Sequence, residues 1–213
     1  MKEIAVIGLG KFGVSVATAY AREGGSVLAI DIDEDKIQEI ADEVTYAVRA
    51  DVSEPDVVRN LGLENVDVAI IAISDNLEAS VMATILSKEV GVPQVIVKAQ
   101  NDVHAKVLTK VGADRIVFPE KEFGVKIARN IAMTHFRDII DLKEDYSIVE
   151  ATVPKSWVGK NLTELNPRKK YGLNVIAIRN GEKLTVNLDP VESFTADSTL
   201  VVIGRNELIS KVF

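Results

Sequence analysis

The sequence contains no cysteine, two histidines and few aromatic residues, which make up 5% of its 213 positions. Without cysteine, the chain has no disulfide, no thiol nucleophile and no thiolate ligand for zinc. Its longest apolar stretches, such as residues 68–73, are far shorter than the ~20 residues of a membrane helix, so we expect no direct membrane insertion. Residues 1–3 lead directly into an apolar segment, which predicts a soluble, intracellular protein without a signal peptide.

Positive charge is scarce in the first two thirds of the chain. Residues 1–138 carry 15 lysines and arginines against 22 aspartates and glutamates, whereas residues 139–213 carry 10 of each. An acidic surface does not neutralise phosphates, so we expect no nucleic-acid partner. The same deficit disfavours a nucleotide-sensing transcriptional regulator, which would need a basic patch.

The first 120 residues alternate short apolar runs with helical segments. We predict strands at 4–7, 27–30, 46–48, 68–73, 95–97 and 116–118, and helices near 11–23, 34–42, 55–61, 76–90 and 102–111. The runs are rich in β-branched residues, which is typical of strands buried on both faces. This order predicts an α/β fold with a Rossmann-like doubly wound parallel sheet over residues 1–119. Asp33, Asp75 and Asn101 stand where helix N-caps are needed.

The pattern changes after Pro119. We predict a longer helix over 120–137, with one apolar stripe formed by Phe123, Ile127, Ile131 and Phe136. It is either a sixth covering helix or a crossover and dimerisation helix, which makes 120–138 a segment of its own. Residues 139–213 show strand patterns at 147–153, 173–178 and 200–203 and a helix pattern at 162–165. With an Asn180-Gly181 pair typical of a type I′ hairpin, they predict a small C-terminal α+β domain.

Three glycines, Gly8, Gly10 and Gly13, follow the first strand and open the first helix in the pattern GxGxxG. The first permits a tight turn, the second lets a phosphate approach the backbone, and the third lets helix and strand pack closely. Asp31 ends the second strand, where a carboxylate can accept both hydroxyls of an adenosine ribose. Asp33 would repel a 2′-phosphate, which disfavours NADP. The alternative is that the glycines serve only the turn.

Polar residues at the other strand ends share one edge of the sheet, where ligands of such folds bind. They are Asp51, Ser74, Asp75, Asn76, Lys98 and Glu120. Each is either a ligand contact or a helix cap or solvated residue, and Lys11 either meets a phosphate or is solvated. His104 either contacts the ligand or has a capping or surface role, and we interpret His135 as structural. These residues include no catalytic set, so a binding protein is favoured and a small NAD-dependent oxidoreductase is the alternative.

The chain resembles one family over nearly its whole length. The family is that of RCK domains, the regulators of potassium conductance, and in particular the cytosolic subunits of Ktr/Trk potassium-uptake systems. The segments that carry the resemblance are IAVIGLGKFG, LAIDID, VIVKAQNDVHAKVLTKVGADRIVFPEKEFG and KYGLNVIAIRNGE. It implies a regulatory subunit, not an enzyme, that binds ATP/ADP or NAD/NADH without turnover. It also implies a homodimer that assembles into an octameric ring under a membrane K⁺ transporter, at the cytoplasmic face of the membrane.

The resemblance also implies which residues bind the nucleotide. The matching positions are Gly8, Gly10, Phe12, Asp31, Ile32, Asp33, Asp51, Val52, Ile73, Ser74, Asp75, Lys98, Ala99, Gln100, His104 and Glu120. Glu120 matches a position near the phosphates where Mg²⁺ or another cation bridges subunits. Lys11 stands where the family's loop carries arginine, and because lysine lacks the bidentate fork we expect weaker discrimination between ATP and ADP.

A second resemblance concerns the C-terminal domain, where many relatives bind cyclic di-AMP at a dimer interface. The matching positions are Arg168, Leu173, Asn174, Val175 and Pro190. Lys169 stands where a small residue is common, and its side chain either blocks the site or changes the charge of the site. A surface role is the alternative for Arg168.

Overall fold

The computed structural model describes residues 1–132, 136–142 and 145–213. These residues form two compact units, Met1–Lys121 and Glu122–Phe213, each with its own sheet and apolar core. His135 lies outside the described residues. Within those ranges, no helix combines the length and the apolar character needed to span a bilayer.

The first unit is built on six parallel strands connected by helices. The strands are β1 (Glu3–Ile7), β2 (Ser26–Asp31), β3 (Tyr46–Arg49), β4 (Val68–Ile71), β5 (Gln94–Lys98) and β6 (Arg115–Val117). The helices are α1 (Lys11–Arg22), α2 (Glu34–Ile40), α3 (Pro55–Arg59), α4 (Leu77–Glu89), α5 (Asp102–Lys110) and the start of α6 (Pro119–Ala132). The strand order β3-β2-β1-β4-β5-β6 confirms the predicted doubly wound, Rossmann-like sheet.

The central strands of this sheet are apolar because helices cover both of their faces. Ile7, Ile30, Ile71 and Val97 are at most 1% exposed. The strand order reverses between β1 and β4, and the connections that leave these two strands run in opposite directions. A crevice therefore opens at the carboxyl ends of the strands, and it positions the site described below.

Two of the three predicted N-caps are confirmed. Asp33 and Asn101 cap α2 and α5 by accepting backbone N–H groups. α4 begins instead after Asn76, whose Oδ1 accepts the N–H of Ala79 at 3.0 Å. The prediction for Asp75 was wrong because this residue lies one position too early to reach the free N–H groups of α4. The side chain of Asp75 instead lies at the edge of the sheet.

Besides the remainder of α6, the described residues of the second unit form a five-stranded antiparallel sheet and three short helices. The strands are β7 (Phe136–Asp141), β8 (Tyr146–Thr152), β9 (Asn174–Asn180), β10 (Lys183–Thr185) and β11 (Thr199–Arg205), in the order β10-β9-β11-β8-β7. The helices are α7 (Leu162–Leu165), α8 (Pro167–Tyr171) and α9 (Asn206–Val212). Trp157 lies in its core, with the rings of Tyr171, Phe194 and Phe213 centred 5.5 to 6.2 Å away. The predicted small α+β domain is confirmed.

The helix predicted over 120–137 is too long. α6 ends at Ala132, and Phe136 begins β7. Phe136 continues the apolar spacing of the helix, but an apolar residue at that distance is equally consistent with the first residue of a strand. The stripe on the helix is therefore limited to Phe123, Ile127 and Ile131.

The predicted β9–β10 hairpin is confirmed, but its turn differs from the prediction. Asn180 pairs with Lys183, so the two loop residues are Gly181 and Glu182. Of these two residues, Gly181 alone has a positive φ, at +60°. A positive φ at the first loop position fits type II′, whereas type I′ needs it at both.

Candidate functional site

A cavity of about 500 Å³ lies at the carboxyl ends of β1, β2, β4 and β5, a size typical of small-molecule pockets. Most of the predicted nucleotide-binding residues line it. They are Gly8, Gly10, Lys11, Phe12, Asp31, Ile32, Asp51, Val52, Ile73, Ser74, Asp75, Lys98 and Glu120. The sheet topology therefore brings six separate parts of the sequence to one space.

The glycine loop between β1 and α1 has the geometry that its motif predicts. Gly8 has a φ of +95°, and a Cβ there would lie 3.0 Å from the backbone nitrogen of Ile73. A Cβ on Gly13 would lie 1.9 Å from the carbonyl oxygen of Gly8, so α1 can pack this closely only without a side chain. Around Gly10, by contrast, no atom lies within 4 Å of an added Cβ. A phosphate can therefore approach the start of α1 at Gly10.

Asp31, at the end of β2, has a carboxylate that is 7% exposed and held by backbone groups. Its Oδ2 accepts the N–H of Leu9 at 2.6 Å, and its Oδ1 accepts the N–H of Asp33 at 2.9 Å. Lys36 Nζ lies 3.4 Å from Oδ2. The acid predicted to meet a ribose thus also ties the end of β2 to the glycine loop.

Lys98 and Glu120 form an ion pair at the edge of the same cavity. Lys98 Nζ lies 2.6 Å from Glu120 Oε1 and 6.0 Å from the centre of the Phe12 ring. The hydrogen bond from Lys98 lowers the pKa of the Glu120 carboxyl. Since Phe12 lies in the first turn of α1, directly after the glycine loop, the pair lies where the phosphates of a nucleotide are expected.

The segment after β3 forms another part of the cavity lining. Oδ1 of Asp51 accepts the hydroxyl of Ser53 at 2.6 Å and its backbone N–H at 3.0 Å. Both hydrogen bonds lower the pKa of the Asp51 carboxyl, and the bond from the Ser53 hydroxyl contributes most. Val52 is buried and Ile32 is 58% exposed, so apolar surface borders this end. Apolar walls beside a fixed carboxylate suit an adenine base.

Four predicted residues do not line the cavity. Asp33 caps α2, and Ala99 is 1% exposed. Gln100 donates its backbone N–H to His104 Nδ1 at 3.4 Å. Burial lowers the pKa of His104, and its Nε2 has no hydrogen-bond partner among the described residues. Asp33 thus supports the start of α2, and the hydrogen bond between Gln100 and His104 lies at the start of α5.

Sequence reasoning missed Lys36 and Ser53, both of which line the cavity. Ser53 lies two residues after Asp51, a spacing at which aspartate side chains commonly accept a backbone N–H, so a local signal existed. Lys36 has no comparable signal, because its position in the cavity depends on how α2 packs against the sheet.

The residues of the expected cyclic di-AMP site lie on and after α8 and near residue 190. Arg168 and Lys169 are exposed on α8, whereas Leu173 is 0% exposed in the core of the second unit. Asn174 and Val175 begin β9. The carbonyl oxygen of Pro190 accepts the N–H and the hydroxyl of Thr163, both at 3.0 Å.

Glu120 is the residue expected to bind a cation, and its neighbourhood limits what it can hold. Within the described ranges, no three His, Cys, Asp or Glu side chains cluster in a way that could bind a metal ion. Mg²⁺ is commonly bound through one or two carboxylates together with substrate phosphates and water. Glu120, 71% exposed, fits such a site only as a single ligand beside a phosphate.

Two family models match the chain, the TrkA-N domain over residues 4–119 and the TrkA-C domain over residues 148–213. The Ktr system potassium uptake protein C of Bacillus subtilis is 44% identical over 210 residues, which cover 99% of this chain and 95% of that protein. The Ktr system potassium uptake protein A of the same organism is 40% identical over 210 residues, which again cover 99% of this chain and 95% of that protein. These matches confirm the resemblance found in the sequence.

Solved structures show the same fold. The GsuK RCK domain superposes with a TM-score of 0.65 at 16% identity, over 98% of this chain and 46% of that one. The GsuK channel bound to NAD gives the same TM-score over 99% of this chain and 38% of that one. This chain thus spans less than half of either structure.

Proposed function

The chain belongs to the family of TrkA-N and TrkA-C domain proteins that includes the Ktr potassium uptake proteins, and on this premise we propose that it is the nucleotide-binding regulatory subunit of a membrane potassium transporter. The observation that carries the proposal is the convergence in one cavity of the glycine loop, Asp31 and the Lys98–Glu120 pair. The glycine loop and Lys98 suit the phosphates of a nucleotide, Asp31 suits its ribose, and the apolar surface beside Asp51 suits its base.

The cavity is suited to binding rather than to turnover. Asp31 and Asp51 accept hydrogen bonds that hold them in place, and Lys98 is paired with Glu120. A hydride-transfer enzyme needs a proton donor beside its substrate, and none of the described residues lining the cavity is a histidine or a tyrosine. The NAD-dependent oxidoreductase is therefore the less favoured alternative, and we propose that the protein is not an enzyme.

The ligands that we propose are ATP and ADP, or NAD and NADH. All of them carry an adenosine diphosphate, which matches the glycine loop and the acidic end of β2. GsuK, whose fold this chain shares, has structures bound to NAD and to ADP. The fold thus accommodates both classes of ligand.

Regulation requires a ligand that interacts differently with two states of the assembly. The γ-phosphate distinguishes ATP from ADP, and we propose that it lies near Glu120 and Lys11. Two anions in contact repel each other, and Mg²⁺ or another cation would supply the positive charge that lets them approach. Glu120 is the second residue of α6, so a change at the phosphates reaches this helix directly.

The exposed face of α6 supports assembly with a second copy of the chain. Phe123, Ile127 and Ile131 are spaced four residues apart and are 64%, 45% and 72% exposed. An apolar stripe at helical spacing is typical of a helix–helix contact. We propose a homodimer through α6, and from the family an octameric ring on a membrane K⁺ transporter at the cytoplasmic face of the membrane.

Cyclic di-AMP is a second ligand that we propose, for the C-terminal unit. Arg168, Lys169 and Asn174 are exposed at α8 and the start of β9, so they are accessible to a phosphate or a base. Leu173 contributes to the core, and Lys169 adds a cation where relatives commonly carry a small residue.

Titration calorimetry of the purified chain with ATP, ADP, NADH and cyclic di-AMP, with and without Mg²⁺, tests these proposals. ATP and ADP should bind without turnover, and Mg²⁺ should favour ATP. Binding of NAD(H) alone, followed by hydride transfer in a substrate screen, would support the oxidoreductase instead. If none of the four ligands binds, the proposed function is wrong.

A further inference from the structure

Lys36 lies in the first turn of α2 and reaches the carboxylate of Asp31 from the cavity lining. The carboxylate itself is held by the backbone N–H groups of Leu9 and Asp33, at 2.6 and 2.9 Å. Lys36 is a looser partner, since its Nζ is 3.4 Å from Oδ2 and its side chain is 41% exposed. Of these three partners, Lys36 alone is a flexible side chain that can move without disturbing the backbone.

The lone pairs of Asp31 limit how it can bind a ribose. A carboxylate offers about four acceptor positions. Oδ2 already accepts from Leu9 and Lys36, and Oδ1 accepts from Asp33. One position, on Oδ1, remains for a ligand. The two hydroxyls of a ribose donate two hydrogen bonds, so Asp31 cannot receive both while Lys36 keeps its place.

We propose that Lys36 and Asp31 bind the ribose together. One hydroxyl donates to the open position on Oδ1, and the other inserts between Oδ2 and Lys36 Nζ, donating to the carboxylate and accepting from the ammonium. A hydroxyl can do both, whereas an ammonium only donates. Lys36 is thus a specificity-determining residue for ribonucleotides, an inference that rests on the proposed nucleotide-binding function.

The neighbouring charges favour insertion over simple release of Lys36. The carboxylate of Asp33 is engaged in capping α2. Arg49 donates to the carbonyl oxygen of Ile32 and does not line the cavity. The other lysines of the described lining are Lys11, the first residue of α1, and Lys98, which is paired with Glu120. Asp31 therefore keeps a counter-charge only if Lys36 stays close to it.

The test compares ATP with 2′,3′-dideoxy-ATP by titration calorimetry. Lys36→Met removes the ammonium but retains an unbranched stem, and Lys110→Met, at an exposed position outside the cavity, is the control. In the wild type and the control, ATP should bind more tightly than the dideoxy analogue. In Lys36→Met this ratio should fall about twofold to fivefold, less than the value of a whole hydrogen bond, because in the wild type the bond from Lys36 to the hydroxyl replaces the loose 3.4 Å contact with Asp31. The affinity for dideoxy-ATP should change by less than about twofold.

Each other outcome also decides the matter. An unchanged ratio in Lys36→Met overturns the proposal, including the case in which both ligands weaken equally. A larger ratio overturns it as well, because Lys36 would then only compete with the ribose. Lys36→Gln, measured in parallel, provides the same comparison if Lys36→Met loses its native circular dichroism spectrum. If the wild type binds neither ligand, the proposed function itself fails, and this result differs from failure of the role of Lys36 alone.

Discussion

Lys98 Nζ lies 2.6 Å from Oε1 of Glu120, so an ion pair joins the last residue of β5 to the second residue of α6. The lysine side chain is 11% exposed and the glutamate 71%, which makes the ammonium the enclosed partner. Both residues line the cavity. An anion that enters near Lys98 competes with Glu120 for it, and the carboxylate is then left beside the ligand.

Glu120→Gln should weaken the dependence of ATP binding on Mg²⁺. Removing the carboxylate removes its repulsion of the phosphates, so ATP affinity without Mg²⁺ should rise and the gain on adding Mg²⁺ should shrink. Titration calorimetry with and without Mg²⁺ measures both effects. Glu89→Gln, at an exposed position outside the cavity, should behave like the wild type. A full Mg²⁺ effect in Glu120→Gln would contradict the assignment.

Lys11→Arg should sharpen the preference for ATP over ADP. The planar guanidinium can form two hydrogen bonds to a terminal phosphate, whereas the ammonium acts as a point charge. The ratio of the two dissociation constants is the quantity to compare between the variant, Lys11→Ala and the wild type. Equal ratios in all three would show that residue 11 does not sense the γ-phosphate.

Gly13→Ala and Gly10→Ala form a matched pair that separates folding from binding. A Cβ at position 13 would lie 1.9 Å from the carbonyl oxygen of Gly8, whereas at position 10 it would meet no atom within 4 Å. Gly13→Ala should therefore lower the free energy of unfolding by about 1–3 kcal/mol or more, as expected for overpacking. Gly10→Ala should leave that energy almost unchanged and weaken ATP binding. Urea unfolding measures the stability of both variants, and calorimetry measures their ATP binding. A loss of stability in Gly10→Ala but not in Gly13→Ala would contradict this account.

His104→Leu should flatten the pH dependence of stability. Burial lowers the pKa of His104 below its ordinary value of 6.5. As the pH falls below 6.5 the unfolded chain binds a proton first, so stability is full above 6.5 and declines toward the lower folded pKa. Urea unfolding at pH 7.5, 6.5 and 5.5 should show this decline in the wild type and less of it in the variant. Parallel pH profiles would mean that other groups cause the decline.

Ile127→Asp should convert the proposed dimer to a monomer. The charge would lie in the middle of the exposed stripe of α6, where it would have to be desolvated in a helix–helix contact. Size-exclusion chromatography with light scattering measures the mass. Val186→Asp, at a position 64% exposed in the second unit, controls for a new surface charge. A monomeric wild type, or a dimer that survives Ile127→Asp, would rule out this interface.

The strands of the first unit could be predicted to within one or two residues because apolar runs and helix caps are local signals. The geometry of Gly8 and Gly13 could be predicted for the same reason, since a short motif specifies a short turn. Errors arose where one local pattern fits two structures. Phe136 satisfied a helix and a strand equally, and Asp75 stood beside the true cap, Asn76.

By itself, the sequence determined the sheet class, the glycine loop and the acidic end of β2, since each depends on neighbouring residues. Only the tertiary structure decided that Lys36 shares Asp31 with two backbone N–H groups, and that Lys98 is paired with Glu120. The contacts of Leu9 with Asp31 and of Lys98 with Glu120 each span 22 residues. Such pairs form because strand order brings strand ends together, and strand order is a property of the whole packed sheet rather than of any local pattern.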